Sequence, residues 1–294
     1  MKLRSGEYCA ARVGVTLVLF YAKPMQELVD AVERLLDRYL AFIPQDAIQS
    51  TLSSSGVWRK FTKRSITADL RKFATKGVEY WSINLSSSES ANVEDYGFHF
   101  FGSDLSHKDI SPQETCVCFM EFPTNTLEED RQQHFVEFAV AAAEIEEFEA
   151  GYGGYAFKHH SAPFHNDANR WIAQLAPRYI ALDISYDRFK EVARRQLINV
   201  SWITLLGNAL VQDLHGENSI RSQLSPRVSV KSLQNGLLLI AGESPPVGDV
   251  NRGAQDIEGL KEVAALTKPV RAKMEIGFGS DTFRHGWLDR FDKL

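Results

Sequence analysis

The chain has 294 residues, of which 44% are hydrophobic and 24% charged, with a formal net charge of -5 at pH 7. This balance is that of a folded globular protein and excludes disordered, collagen-like and coiled-coil descriptions of the whole chain. The negative sign argues against a surface that binds nucleic acid regardless of sequence, because such binding needs clustered Lys and Arg.

Lys2 and Arg4 ahead of the apolar run from Val13 to Ala22 imitate a secretory leader. Glu7 and Arg12 interrupt it, no small-x-small cleavage site follows, and the run falls far short of the ~20 residues of a membrane span. The stretch RVGVTLVLFYAK (12–23) instead reads as a buried strand, followed after Pro24 by a helix with Leu28, Val32, Leu35, Leu36 and Tyr39 on one face.

A basic helix is expected over residues 56–76, stopped by Gly77. Arg59, Lys60, Lys63, Arg64, Arg71, Lys72 and Lys76 interleave there with Trp58, Phe61 and Phe73. Helical spacing assigns the aromatics to a buried face; a nucleic-acid-binding module is the alternative reading. Three strands follow at 78–86, 96–103 and 115–123, which pair antiparallel most cheaply. The cysteines Cys9, Cys116 and Cys118 are odd in number and read as reduced structural thiols of a cytoplasmic protein.

Residues 131–151 read as a helix ending at Gly151, with Phe135, Phe138, Ala142 and Ile145 facing a core. Around it lie Glu128, Glu129, Asp130, Glu137, Glu144, Glu146, Glu147 and Glu149 against one Arg131. Such a surface is either a solvated face or a dock for a basic partner, whose approach its field accelerates. GYGGYA (151–156) lacks the spacing of a phosphate loop and reads as a helix end and strand start.

The second half offers a strand at 154–160, a helix at 167–179 capped by Asp167, a strand at 197–207 and a short helix after it. A hairpin is expected at Asn235 and Gly236, then a helix stopped by Pro269. His159, His160 and His165 form a histidine-rich loop whose spacing matches no zinc pattern. A metal-dependent hydrolase built on that loop stays open as an alternative; otherwise no metal, cofactor or catalytic residue is called for. In the tail, Phe283, Trp287, Leu288 and Phe291 share one helical stripe, suited to docking on the chain's own domain. Strands clustered with strands, and helices between the clusters, give an α+β fold with a mostly antiparallel sheet, compatible with two degenerate α/β halves meeting near Ala150.

The stretches RYIALDIS (178–185), INVSWITLLGNALVQDLHG (198–216) and LLLIAGESPPVGDVNRG (237–253), with the opening strand and helix from residue 12, resemble the type VI secretion immunity protein family. The likeness covers residues 12–272, with halves 12–150 and 151–272, and leaves 273–294 as a helical extension. It implies a cytoplasmic antitoxin-like protein, not an enzyme, that binds and blocks a cognate secreted effector toxin, in several members a nuclease. The acidic residues Glu128, Glu129, Asp130, Glu144, Glu146, Glu147 and Glu149 are then the candidate partner-binding surface. Within the family motif, Trp202 is expected to fill the core, and Gly207, Gly242 and Gly248 to form tight turns. Pro245 and Pro246 would stiffen the chain, while Asp249 and Asn251 would hydrogen-bond local backbone. Blocking a lethal enzyme calls for an interface near or above ~1,600 Å².

Overall fold

A computed structural model describes residues 9–53, 56–75, 78–88, 93, 95–159, 165–184, 187–254, 256–274 and 286–293. At its centre lies β1 (Ala11–Tyr21), the stretch that imitates a leader peptide. Val18 and Phe20 point into one core; Leu17, Leu19 and Tyr21 point into a second on the opposite face. A strand buried on both faces needs continuous rather than alternating apolar residues, and that need explains the resemblance to a leader.

The strands are β2 (Ser50–Leu52), β3 (Trp58–Lys60), β4 (Tyr80–Ser86), β5 (Gly97–Ser103), β6 (Cys116–Phe122), β7 (Ala150–His159), β8 (Asp183–Ile184), β9 (Ile203–Gly207), β10 (Val228–Leu233) and β11 (Gly236–Ala241). With β1 they form one sheet in the order β10-β11-β9-β7-β1-β6-β5-β4-β2-β3, with β8 beside β7. Every pairing is antiparallel except that of β7 with β8. The fold is therefore α+β. The expected hairpin at Asn235–Gly236 joins β10 to β11, with Leu233 opposite Gly236.

The helices sort by half. α1 (Val29–Phe42), α2 (Lys63–Thr75) and α3 (Gln132–Ala143) supply Val32, Leu35, Tyr39, Ile66, Leu70, Phe135 and Phe138 to one core. The other core receives residues of α4 (His165–Leu175), α5 (Asn208–Asp213), α6 (Glu217–Gln223) and α7 (Glu258–Thr267), including Ile172, Leu210, Ile220, Leu260 and Val263. In α1 the buried positions 31, 32, 35, 36 and 39 trace the one-sided stripe expected of a helix lying on a sheet.

Several boundaries differ from expectation. The basic segment is not one helix: residues 58–60 form an edge strand, and α2 starts only after Thr62, whose Oγ1 accepts from Ser65 N at 3.3 Å. Arg59 and Lys60 on so short an edge discourage pairing with another chain. α3 stops at Ala143, and the glycine-rich GYGGYA lies wholly within β7. Helix α4 begins at His165, so Asp167 stands in its first turn instead of capping it. Residues 197–202 precede β9 as a buried irregular segment.

Glycine in β1 has a specific cause. Lys158 of β7 is fully buried and crosses Gly14 to reach Glu121 of β6 at 3.3 Å; a Cβ at Gly14 would meet Lys158 at 2.8 Å. Burial alone would raise the Glu121 carboxyl, but the Lys158 ammonium beside it and a hydrogen bond with His99 hold it at about 2.

The described tail residues 286–293 end in a 3-10 turn, Arg290–Lys293, and bury Trp287, Leu288 and Phe291. Phe283 lies outside the described residues. Arg290 reaches inward, donates to the Ile180 carbonyl at 2.7 Å and pairs with Asp183 Oδ1 at 2.8 Å. Arg271 grips the tail in turn, bonding the Leu288 carbonyl at 3.2 Å and Asp292 at 3.0 Å.

Burial pushes the Asp183 carboxyl up to about 6 against the pull of Arg290. A raised carboxyl favours folding fully below its ordinary value of about 4, and loses that contribution as pH rises through about 6. Arg290→Met leaves Asp183 without its guanidinium, so stability should fall by about 3–5 kcal/mol near pH 8, and by less near pH 5, where the carboxyl takes up a proton. Urea unfolding at the two pH values measures this; equal losses would contradict the assignment.

Candidate functional site

The acidic run around α3 divides into two kinds of residue. Glu146 pairs with Lys23 at 2.8 Å and accepts from the Glu147 amide at 3.0 Å. Partial burial would raise its carboxyl, yet Lys23 holds it below the ordinary range. Glu149 accepts from the Arg195 amide at 2.7 Å. These two fasten the turn between α3 and β7. Glu128, Glu129, Asp130 and Glu144 are exposed and make no ion pair among the described residues, and Glu147 is also exposed.

Helix geometry aligns part of the second group. Phe135, Val136, Phe138, Ala139, Ala142 and Ala143 are buried, while Gln133, His134, Glu137 and Glu144 face solvent. Glu137 lies on α3, and Asp130 and Glu144, seven residues before and after it, flank the two ends of the helix, so the three form an exposed acidic stripe. Glu137 accepts a hydrogen bond from Gln133 at 2.9 Å and was not singled out among the candidate residues.

Beside this stripe lies a groove of about 770 Å³ between the end of α1 and the start of α3. One wall carries Arg38, Ala41, Phe42 and Pro44; the other carries Asp130, Arg131, His134, Glu137 and Ala141. At its base Phe42 lies 4.5 Å from Phe138 and 5.5 Å from Phe122, ring centre to ring centre. Sequence reasoning missed the groove, although Phe42 stands three residues beyond Tyr39 on the α1 stripe.

The family-motif residues form a rigid corner. Trp202 is buried and donates from Nε1 to the Gly242 carbonyl at 3.2 Å. Gly242 and Gly248 have φ of +99° and +64°, and a Cβ at Gly248 would meet the Ala181 amide nitrogen at 2.8 Å. Gly207 differs from expectation: its φ is an ordinary -65°, and it must be glycine because a Cβ would lie 2.0 Å from the Phe148 carbonyl oxygen. Pro246 is buried and Pro245 half-buried.

Asp249 accepts from the Asn251 amide at 3.1 Å and takes two bonds of 3.0 Å from Arg178, which holds its carboxyl below the ordinary range. Asp256 accepts from the amides of Val247 and Gly248 at 2.8 and 3.3 Å. The Asn251 side chain is exposed. Both oxygens of Asp249 are thus committed to positioning Arg178, a poor arrangement for a general base.

His159 is half-buried at the end of β7; His160 and the His165 side chain lie outside the described residues. Among the described residues no group of three or more His, Cys, Asp or Glu is placed to hold a metal ion. Of the basic segment, Lys63 pairs with Asp37, and Arg71 with Glu33 at 3.1 Å, while Lys76 and the Phe73 side chain lie outside the described residues. Burial pushes the Cys116 thiol up to about 12 and the Cys118 thiol up as well, which makes both poor nucleophiles. No described helix is long and apolar enough to cross a membrane.

The family described as type VI immunity for VRR-NUC (TsiV) matches residues 31–291, a span that includes most of the C-terminal segment. No curated protein matches the chain. The solved structure of the Pseudomonas aeruginosa T6SS protein PA0821 is similar over 98% of this chain and 85% of its own, with a TM-score of 0.81 at 18% identity. That likeness establishes a shared fold.

The corner generates a stability contrast. Gly207→Ala and Gly248→Ala should each cost about 1–3 kcal/mol, the first through backbone overlap and the second through overlap and a left-handed φ. Asn251→Ala should stay within about 0.5 kcal/mol. Urea unfolding of the three variants checks the order; equal effects would contradict it.

Proposed function

The chain belongs to the TsiV family, type VI immunity for VRR-NUC, and from that premise we propose that its acidic α3 face closes the nucleic-acid cleft of the nuclease effector. It is an immunity protein of the type VI secretion system, and its partner is that effector. The observation that carries the proposed interface is the row of carboxylates Asp130, Glu137 and Glu144, with Glu128 and Glu129 at one end. A nuclease must attract phosphate, so its cleft is lined with Lys and Arg. An exposed acidic stripe competes for the same surface and speeds encounter through its field.

Inhibition on this reading is stoichiometric and involves no bond-making by the immunity protein. The buried thiols and the engaged Asp249 support a non-enzymatic role. Its place of action is the cytoplasm, where the effector's substrate lies.

Glu146, neutralised by Lys23, and Glu149, half-buried against the Arg195 amide, are placed at the margin of this interface. The triple variant Asp130→Asn, Glu137→Gln, Glu144→Gln should associate with the nuclease at least about ten-fold more slowly at low salt and lose much of its salt dependence. Stopped-flow association with catalytically inactivated effector provides the readout. Unchanged rate and salt slope would remove α3 from the interface.

A further inference from the structure

We propose that the groove between α1 and α3 is an anchor pocket for one aromatic or long aliphatic side chain of the nuclease, carried on a segment flanked by Lys or Arg. This deepens the reading of α3 as the effector interface and rests on it. The groove is open and, at about 770 Å³, roomy enough to admit a large side chain together with part of the segment that carries it. Its base is aromatic, with Phe42 half-buried above Phe122 and Phe138.

The charge around the groove is ordered. Within it, the cations Arg38 and Arg131 balance the anions Asp130 and Glu137, leaving no net formal charge. Outside it stand Glu128, Glu129 and Glu144, with Arg34, which donates to the Ile145 carbonyl at 2.9 Å, beside the last, so that a surplus of negative charge remains. A slot with an aromatic base and balanced charge on its walls, bordered by acidic residues, has the layout of an interface hot spot and its polar rim.

That layout selects the occupant. Phosphates of a nucleic acid would be repelled by the surround. A second copy of this chain would bring the same acidic patch against itself across an isologous contact. A basic-flanked segment of a nucleic-acid enzyme satisfies both zones, its charged flanks meeting the carboxylates while its apolar side chain enters the slot. The two zones then divide the kinetics: carboxylates govern association and the slot governs dissociation.

The test fills the slot without altering charge. Ala41→Trp and Ala141→Trp stand on opposite walls, one exposed and the other half-buried, so each is a separate chance to block the groove in a folded protein, as a thermal melt verifies. Dissociation of the inactivated nuclease effector should become at least about ten-fold faster in both, with association within about two-fold of the unaltered protein. Dissociation at the original rate from either folded, filled variant overturns the anchor pocket, as does an effect confined to association. If the carboxylate variant still associates slowly in that case, the acidic interface stands and only the slot falls; if neither changes, both fall.

Discussion

The structure depends on burying β1 on both faces. A central strand with helices on only one side would expose half of its apolar residues, so the chain must supply two helical layers. It does so in order: the helices of the first half cover one face, and those of the second half, with the tail, cover the other. The pairing of β1 with β7, at the middle of the sheet, joins the strands β1 to β6 to the strands β7 to β11. The buried Lys158–Glu121 pair and the buried Arg290–Asp183 pair add positional demands that apolar contacts alone do not impose.

That layering determines which surface is free. Helix α3 lies with its apolar side on the sheet, which turns Glu137 outward, and Asp130 and Glu144 stand exposed at its two ends. Its neighbour α1 meets it closely at the phenylalanines but leaves the groove above them open. The interface reading therefore follows from how a helix packs on a sheet, with charge supplied by the residues that packing leaves over. The corner built around Trp202, Gly248 and Asp249 is arranged differently: Trp202 is buried, and Asp249 is bonded to Arg178 and the Asn251 amide.

Much of this was legible in the sequence, for identifiable reasons. β1, α1, β4 to β6 and the β10–β11 hairpin carry strong local signals, either apolar periodicity or an Asn-Gly turn. The failures share a cause as well. Residues 58–60 have helix-compatible composition, yet pairing with β2 makes them a strand; the glycines of 151–154 look like loop residues, yet β1 and β9 on either side hold them in a sheet. Gly207 needs to be small because of Phe148, 59 positions away in the chain, and no local pattern encodes that contact. The acidic run was visible, but its division into bonded and free carboxylates was not, because Lys23 and Arg195 reach it from distant segments.

The central claim is that the exposed carboxylates on and beside α3, and not the corner, face the nuclease. Carbodiimide labelling of surface carboxylates, read by mass spectrometry with and without the bound effector, addresses it residue by residue. Asp130, Glu137 and Glu144 should lose their labelling in the complex while Glu243 and Glu258, near the corner, keep theirs. Unchanged labelling along α3, with protection appearing instead at Glu243 and Glu258, would contradict it.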